Sequence, residues 1–587
     1  MATSRFKNKR QANLRLPLAI ALMVAIGACG GQPKITKLVD GRLIETRSVS
    51  PRAYEHAARA MVYEEEDRYT DAIVEYKAAL QYDPESAELY ARLAEAYLAL
   101  DDVPQAQAAV GKSLGVAPTV DGVVASAHID LHRADASAAA QVLKQALALV
   151  NFTNEAEAAE RVYLERADAQ IMALQPQEAL ATLESLLSGL PTSQMGLYRQ
   201  ASVAWALGDL TAARRYLERL LHVEPDQLEA RLLLARLLTV LGKPDQARST
   251  YVEALSRSEG DLSVAAMYAG FLAQRGLPDE AAAVAEQMQT TEVDSSSLGL
   301  RMELERAAGR LPKALEMADA VLATQPGPEL AGRILMAKGA VLEASHRPDE
   351  AARAFEAVPQ DAPTFAESRL RAAALRRDQG QGEAAQALLA PLVGDALDES
   401  MQSELLVARA LVLASVGKLP EARTLLLTSD EPSHTQRLTL SRAVLEDKYG
   451  DWRQALALSE AVLKKDLSSA EALNFWAFVA AEKKHMLPKA LGRAQAALAF
   501  DPGSAAIMDT VGWIHMQMDN ATAATPFLEG AAAIEPNDAE ILGHVAVLYA
   551  KQGKTELASR NVTRALELTK DPTMRARLNA ILKPGGK

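Results

Sequence analysis

Small and apolar residues return along this chain at two periods. The short one is helical: steps of three, four and seven place Ala72, Tyr76 and Ala79 on one helix face. The long one is carried by an alanine that recurs fifteen times from Ala72 to Ala558, most often 33 to 35 residues apart. Numbered by that alanine, repeat one holds Ala72, repeat five Ala213, repeat thirteen Ala490 and repeat fifteen Ala558. Another small residue stands twelve positions earlier, as at Ala60, Ala94, Ala201 and Ala546. A glycine five positions before the alanine, as at Gly208, Gly242 and Gly553, supplies the left-handed cap that ends a first helix. A proline twelve positions after it, as at Pro84, Pro225 and Pro536, stops a second. Each unit therefore reads as two antiparallel helices crossing at small side chains. One such pair cannot bury its apolar stripes alone, so neighbours must stack.

The register resembles that of the tetratricopeptide repeat family. Tyr90, Leu93, Ala94, Tyr97, Ala106 and Pro118 fall where its motif wants them, as do Val545, Ala546, Tyr549, Gly553, Ala558 and Ala565. The resemblance implies an all-α fold, a right-handed superhelical α-solenoid of about fifteen helix–turn–helix repeats. The array is expected over residues 53–572, with a capping helix and tail at 573–587. Regularity fails at a 40-residue interval around Asn151 and at 37-residue intervals before Ala351 and Ala422.

The N-terminus departs from this pattern. Arg5, Lys7, Lys9, Arg10 and Arg15 precede an eleven-residue apolar run, Leu16 to Ile26, too short for an ordinary membrane span. That layout reads as an export signal over residues 1–28. It ends Gly27-Ala28-Cys29-Gly30, which resembles the lipobox of bacterial lipoproteins, where the cysteine becomes the lipidated N-terminus. An incidental cysteine after an ordinary signal is the alternative. Cys29 is the only cysteine in 587 residues, which favours lipidation and excludes an intrachain disulfide. Residues 29–52 then read as a lipidated cysteine and tether. Gly30, in place of an acid, favours the outer membrane and a periplasm-facing array.

The chain carries −13, and −18 without the five basic residues ahead of Leu16. No clustered basic stretch suits nucleic acid. His128 and His132 stand one helical turn apart, as a zinc site or metal-dependent hydrolase requires, but Ile129 replaces the glutamate of a protease signature and no third ligand is evident. They are expected to face solvent. No phosphate loop, nucleophile elbow or Cys–His pair occurs, so the chain reads as no enzyme and as needing no cofactor, metal or small-molecule substrate.

In the family the first helix of each pair lines the concave groove. By that resemblance Glu95, His128, Asp168, Ser202 and Arg236 face it, with Ala57, Ala91, Val124, Leu164, Tyr198 and Leu232 one turn away. The lysines and asparagines of a carboxylate clamp are absent from those positions. The last three repeats differ. Asn474, Asp509 and His544 are 35 residues apart, nearly one repeat, and should form a row, with Phe478 and Trp513 in a second row beside it. Aromatics next to polar groups suit a partner-binding site, and packing between repeats is the alternative. The succession resembles the C-terminal part of a group of exported tetratricopeptide proteins of Gram-negative bacteria. The resulting expectation is an outer-membrane-anchored scaffold for protein partners of an envelope machine: polysaccharide export, pilus or motility apparatus, or outer-membrane assembly. A chaperone-like carrier of unfolded chains or polymer is the second reading.

Overall fold

The structure, a computed structural model, describes residues 34–39, 42–47, 49–288, 298–392, 397–427, 435–569 and 571–581. The export signal, Cys29 and the last residues of the tail lie outside that set. The chain divides into two compact units, Met1–Glu85 and Ser86–Lys587.

The first unit contains repeat one, a helix pair at Pro51–Glu65 and Tyr69–Tyr82. It also contains a two-stranded antiparallel hairpin, Lys34–Val39 against Arg42–Arg47, with Lys34 opposite Arg47. The span read as a plain tether therefore holds paired strands. Alternating apolar residues are too few there to announce them: only Ile35, Leu38, Val39, Leu43 and Ile44 qualify. Every other described element is helical.

The second unit holds the remaining fourteen helix pairs and a final helix, Pro572–Ile581, together an α-solenoid. All fifteen repeat alanines are buried, none more than 1% exposed, because each sits where the two helices of its pair cross. Seven of the predicted cap glycines adopt positive φ, Gly208 among them at 83°. Where glycine is missing, Asp101, Ala134, Leu174, His346 and Asp519 take the same left-handed turn, so the repeat geometry overrides residue preference. Second helices end two residues before the prolines, as at Val223 before Pro225 and Phe500 before Pro502.

The irregular intervals have a simple cause. First helices are commonly 13 residues long, but those of repeats nine and eleven, Pro328–Ala344 and Glu399–Ser415, have 17. The addition is about one turn of 3.6 residues. Repeat four also has a 17-residue first helix, Ala156–Met172. It follows a turn in which Asn151 Oδ1 accepts from Thr153 N and Asn154 N at 3.1 and 2.8 Å. The final helix caps the array: Leu578 is buried with Leu542, Ala546 and Val562 of repeat fifteen.

One feature of the second unit is not local. The second helix of repeat thirteen, Leu487–Phe500, packs on the first helix of repeat five, Gln194–Ala206. The second helix of repeat fourteen, Ala521–Ile534, packs on the first helix of repeat six, Leu228–Val240. Both halves share one apolar core that includes Trp205, Leu233, Leu237, Leu498, Phe527 and Ala531. Glycines permit the approach. A Cβ on Gly503, whose φ is +78°, would lie 3.0 Å from Leu233 Cδ1 and 3.6 Å from Trp205 Cη2. One on Gly530 would lie 2.9 Å from Val240 Cγ1. The Arg199 guanidinium stands 5.6 Å from the Phe500 ring centre. The array thus returns upon itself and fills the concave side of its own middle repeats.

Candidate functional site

That return changes which predicted groove residues face open space. Ser202 is fully buried and its hydroxyl donates to Tyr198 O at 3.0 Å. Arg236 lies by Gly503 of the returning repeats, and its charge acts on Asp501 and Glu535 there. The groove of repeats five and six is therefore occupied by the chain itself, not offered to a partner.

Towards the N-terminal side, the groove positions form ion pairs from repeat to repeat. His128 Nδ1 lies 2.8 Å from Glu95 Oε1 and its Nε2 3.5 Å from Glu165 Oε2. Asp168 Oδ1 meets Arg199 Nε at 2.9 Å. His132 Nε2 is 2.7 Å from Asp101 Oδ1. His128 is thus bracketed by carboxylates while still about a third exposed, and His132 is exposed: Glu95 holds the matching place on the helix before it, and Glu165 stands one turn from the matching Asp168 on the helix after it. Burial disfavours its charge, but hydrogen bonds to Glu165 and Glu95, with their negative charge, push its pKa up to about 10. A metal needs a neutral imidazole with a free nitrogen, and both nitrogens here are engaged. Among the described residues no group of three or more His, Cys, Asp or Glu is placed to hold a metal ion. A proton NMR titration of His128 is expected to have its midpoint near 10. Since the folded value exceeds the ordinary 6.5, its contribution to stability is full below about 6.5 and is lost as pH rises towards the folded value. A midpoint near 6.5 would refute the bracket.

The C-terminal row is built on the first helices of repeats thirteen, fourteen and fifteen: Ala470–Glu482, Ala505–Gln517 and Ala539–Lys551. Successive first helices lie side by side, so residues one repeat apart meet. Asp509 Oδ2 and Oδ1 lie 2.7 and 3.0 Å from His544 Nδ1. The pair is nearly enclosed, with Asp509 4% and His544 8% exposed. Burial opposes charge on His544, yet the charge and hydrogen bond of Asp509, with Glu540 and Glu482 beyond, hold its pKa above the ordinary value. Trp513 stacks on the His544 ring, centroids 4.1 Å apart and planes at 14°. Its Nε1 donates to Glu482 Oε1 at 2.8 Å, and Glu482 Oε2 is 3.4 Å from Arg577 Nη1 of the capping helix.

The two expected rows therefore interlock: Trp513 joins the Asp509–His544 pair instead of running beside it. Asn474 and Phe478 stand one turn apart on the neighbouring helix, both half-buried. The Asn474 Oδ1 atom is buried and, among the described residues, without a hydrogen-bond partner. Glu482 and Arg577 belong to the cluster and were not among the predicted residues. Glu482 carried a signal, since it lies one turn beyond Phe478 on the same face. Arg577 carried none, being outside the repeat register.

Comparison with known proteins agrees with the repeat. Residues 63–125 and 204–254 match one tetratricopeptide repeat family model, and residues 303–364 match a second. No curated protein sequence matches the chain. Among solved structures, it is similar to a chain of the APC/C hetero-tetramer Cut9–Hcn1 at 16% identity, over 85% of this chain and 97% of that one, with a TM-score of 0.30. It is similar to pilF of Pseudomonas aeruginosa at 18% identity over 36% of this chain and 95% of that one, with a TM-score of 0.29. For YrrB the identity is 16%, over 30% and 89%, with a TM-score of 0.24. Among the described residues no helix is long and apolar enough to cross a membrane. The chain carries tetratricopeptide repeats, stacked as an α-solenoid of the kind that serves as a protein-interaction scaffold.

Proposed function

We propose that this chain is a lipid-anchored scaffold on the periplasmic side of an outer membrane. It holds a protein partner of an envelope machine through the first helices of repeats thirteen to fifteen. The single observation that supports the binding face is Asn474. A buried acceptor left without a partner costs roughly 1–3 kcal/mol, and a backbone N–H of an extended peptide would relieve it. Phe478 and Trp513, both half-buried, offer the apolar contact that such a peptide needs. The enclosed Asp509–His544 pair supports this face from behind. Support for the membrane anchor comes from the first thirty residues alone: the basic start, the short apolar run and Cys29. The machine itself is one of polysaccharide export, a pilus or motility apparatus, or outer-membrane assembly.

A general carrier of unfolded chains would want the long middle groove open, and repeats five and six have theirs filled. The scaffold is therefore the reading carried forward. Crosslinked capture from envelopes is expected to recover one specific partner with the parent chain, to lose it with Asn474→Ala at nearly unchanged stability, and to lose it with Trp513→Ala at a temperature where that less stable variant remains folded. An identical partner set with all three chains would remove the site. Cys29→Ser is expected to move the protein from the membrane to the soluble fraction, and unaltered membrane association would remove the anchor.

A further inference from the structure

Two adjoining clefts, of ≈ 670 and ≈ 300 Å³, share Glu460 as a wall, and the return of the array builds the larger of them. The larger is lined by the inter-helix turns of repeats three and four, His132–Ser137 and Met172–Leu174, and across from them by the second helices of repeats twelve and thirteen. The smaller lies between Trp452, Trp476 and His485. Neither uses a residue of the C-terminal row.

Their charge is opposite to that of the chain. Arg133, Arg453, Lys464, Lys489 and Arg493 line the two clefts, against Asp135 and Glu460. The whole chain carries −13. Asp135 is already engaged as a helix cap, accepting from Ala138 N at 2.9 Å. Glu460 is shared by two cations, Arg493 Nη1 at 2.7 Å and Lys489 Nζ at 3.5 Å. Arg493 is only 6% exposed. Its guanidinium lies 4.1 Å from the Trp476 ring centre. One carboxylate shared between Arg493 and Lys489 leaves Arg133, Arg453 and Lys464 as surplus positive charge along the clefts, which suits further carboxylates from outside.

We propose that this double cleft binds an acidic segment of a partner protein. Its carboxylates meet Arg493, Lys489 and Lys464, and a neighbouring apolar side chain rests against the half-buried Trp452. A peptide fits better than an anionic polysaccharide. Trp476 is 3% exposed with its face under Arg493, and the half-buried Trp452 has Arg453 4.5 Å from its ring centre and His485 in edge contact, so neither presents an open plate on which a sugar ring stacks. The inference goes beyond the reading of the C-terminal row and does not depend on it. Because the larger cleft takes one wall from repeats three and four, Arg133 among them, and the other from repeats twelve and thirteen, that part of the site exists only while the array is folded back. An acidic ligand therefore stabilises the return contact by mass action.

The test is calorimetric titration of the full chain with a decaglutamate peptide at low and moderate salt. Saturable binding is expected, weakened roughly tenfold or more by Lys464→Glu and by Lys489→Glu, whose charge reversals act on close pairs. Lys554→Glu, which does not line the cleft, is expected to leave it unchanged. The lysine variants are read at unchanged melting temperature. Arg493→Gln, which also unseats Glu460, is read beside them. Trp205→Ala is expected to weaken binding by opening the return contact. The proposal is overturned if no saturable binding is found, if Lys554→Glu weakens it as much as the cleft variants, or if an oligogalacturonate of equal charge binds as tightly. Loss of the envelope partner on Asn474→Ala with peptide binding intact would separate the two sites.

Discussion

Replacing Trp205 with alanine is expected to destabilise the middle of the array by about 3–5 kcal/mol and to release repeats thirteen and fourteen from repeats five and six. Trp205 is fully buried within the core shared by both halves. Its ring reaches the Gly503 turn, where a Cβ would come within 3.6 Å of Cη2. Removing the indole empties that space, and no neighbour slides in easily, because Leu233 and Phe527 are held by their own helices. The indole Nε1 is buried without a hydrogen-bond partner among the described residues, so its removal loses no hydrogen bond and offsets part of the packing loss. Trp205→Phe, which keeps much of the volume, is expected to cost less. Repeat arrays do not unfold as one unit, so the measurement is native-state hydrogen exchange by segment. Faster exchange is expected both in Gln194–Ala206 and in the returning helices Leu487–Phe500 and Ala521–Ile534. If only repeats four to six respond, the return contact is not made in solution, and the groove of repeats five and six is open after all.

That contact also marks the limit of what the sequence discloses. The repeat itself is legible because it is written locally. The alanine at each crossing, the turn five residues before it and the proline after it act within one helix pair, so their spacing reports their geometry. Even where glycine gives way to Leu174 or Ala134, the register still identifies the turn. The return contact joins Trp205 and Leu233 to Gly503 and Phe527, far apart in sequence and at no common period. Its only trace is a set of glycines, and each has a local reading: Gly503 as a turn residue after a helix, Gly530 as a small residue within one. The candidate site divides in the same way. Asp509 and His544 meet because 35 residues nearly equal one repeat, which the sequence displays. Their stacking with Trp513 depends on side-chain direction, and the Arg577 contact on a cap helix with no counterpart in the repeat. The carboxylates around His128 are hidden for a related reason: Glu95 and Glu165 come from the repeats before and after, and Glu165 stands one turn off the register position, Asp168.

The second large effect concerns the enclosed pair itself. Asp509→Ala is expected to cost about 3–5 kcal/mol, the penalty for leaving one member of a buried ion pair without the other. His544 would keep its place against Trp513, and its imidazolium would lose the carboxylate 2.7 Å away. The double variant Asp509→Ala with His544→Leu is expected to be more stable than Asp509→Ala alone, since it leaves no unmatched charge. Fully additive losses would mean that the two residues act separately. The pH dependence carries the same sign information. His544 has a folded pKa above the ordinary 6.5, so its contribution is complete below about 6.5 and is lost as pH rises through the folded value. Alkaline conditions should therefore loosen repeats fourteen and fifteen in the parent chain, and much less in the double variant. This bears directly on how the proposed binding face is tested. Trp513 takes its orientation from His544 on one side and Glu482 on the other, so loss of Asp509 would disturb the indole without touching a partner. Partner loss on Asp509→Ala is then informative only at a temperature where the variant remains folded. Asn474→Ala removes an acceptor that has no internal role, and it is the substitution that separates binding from packing.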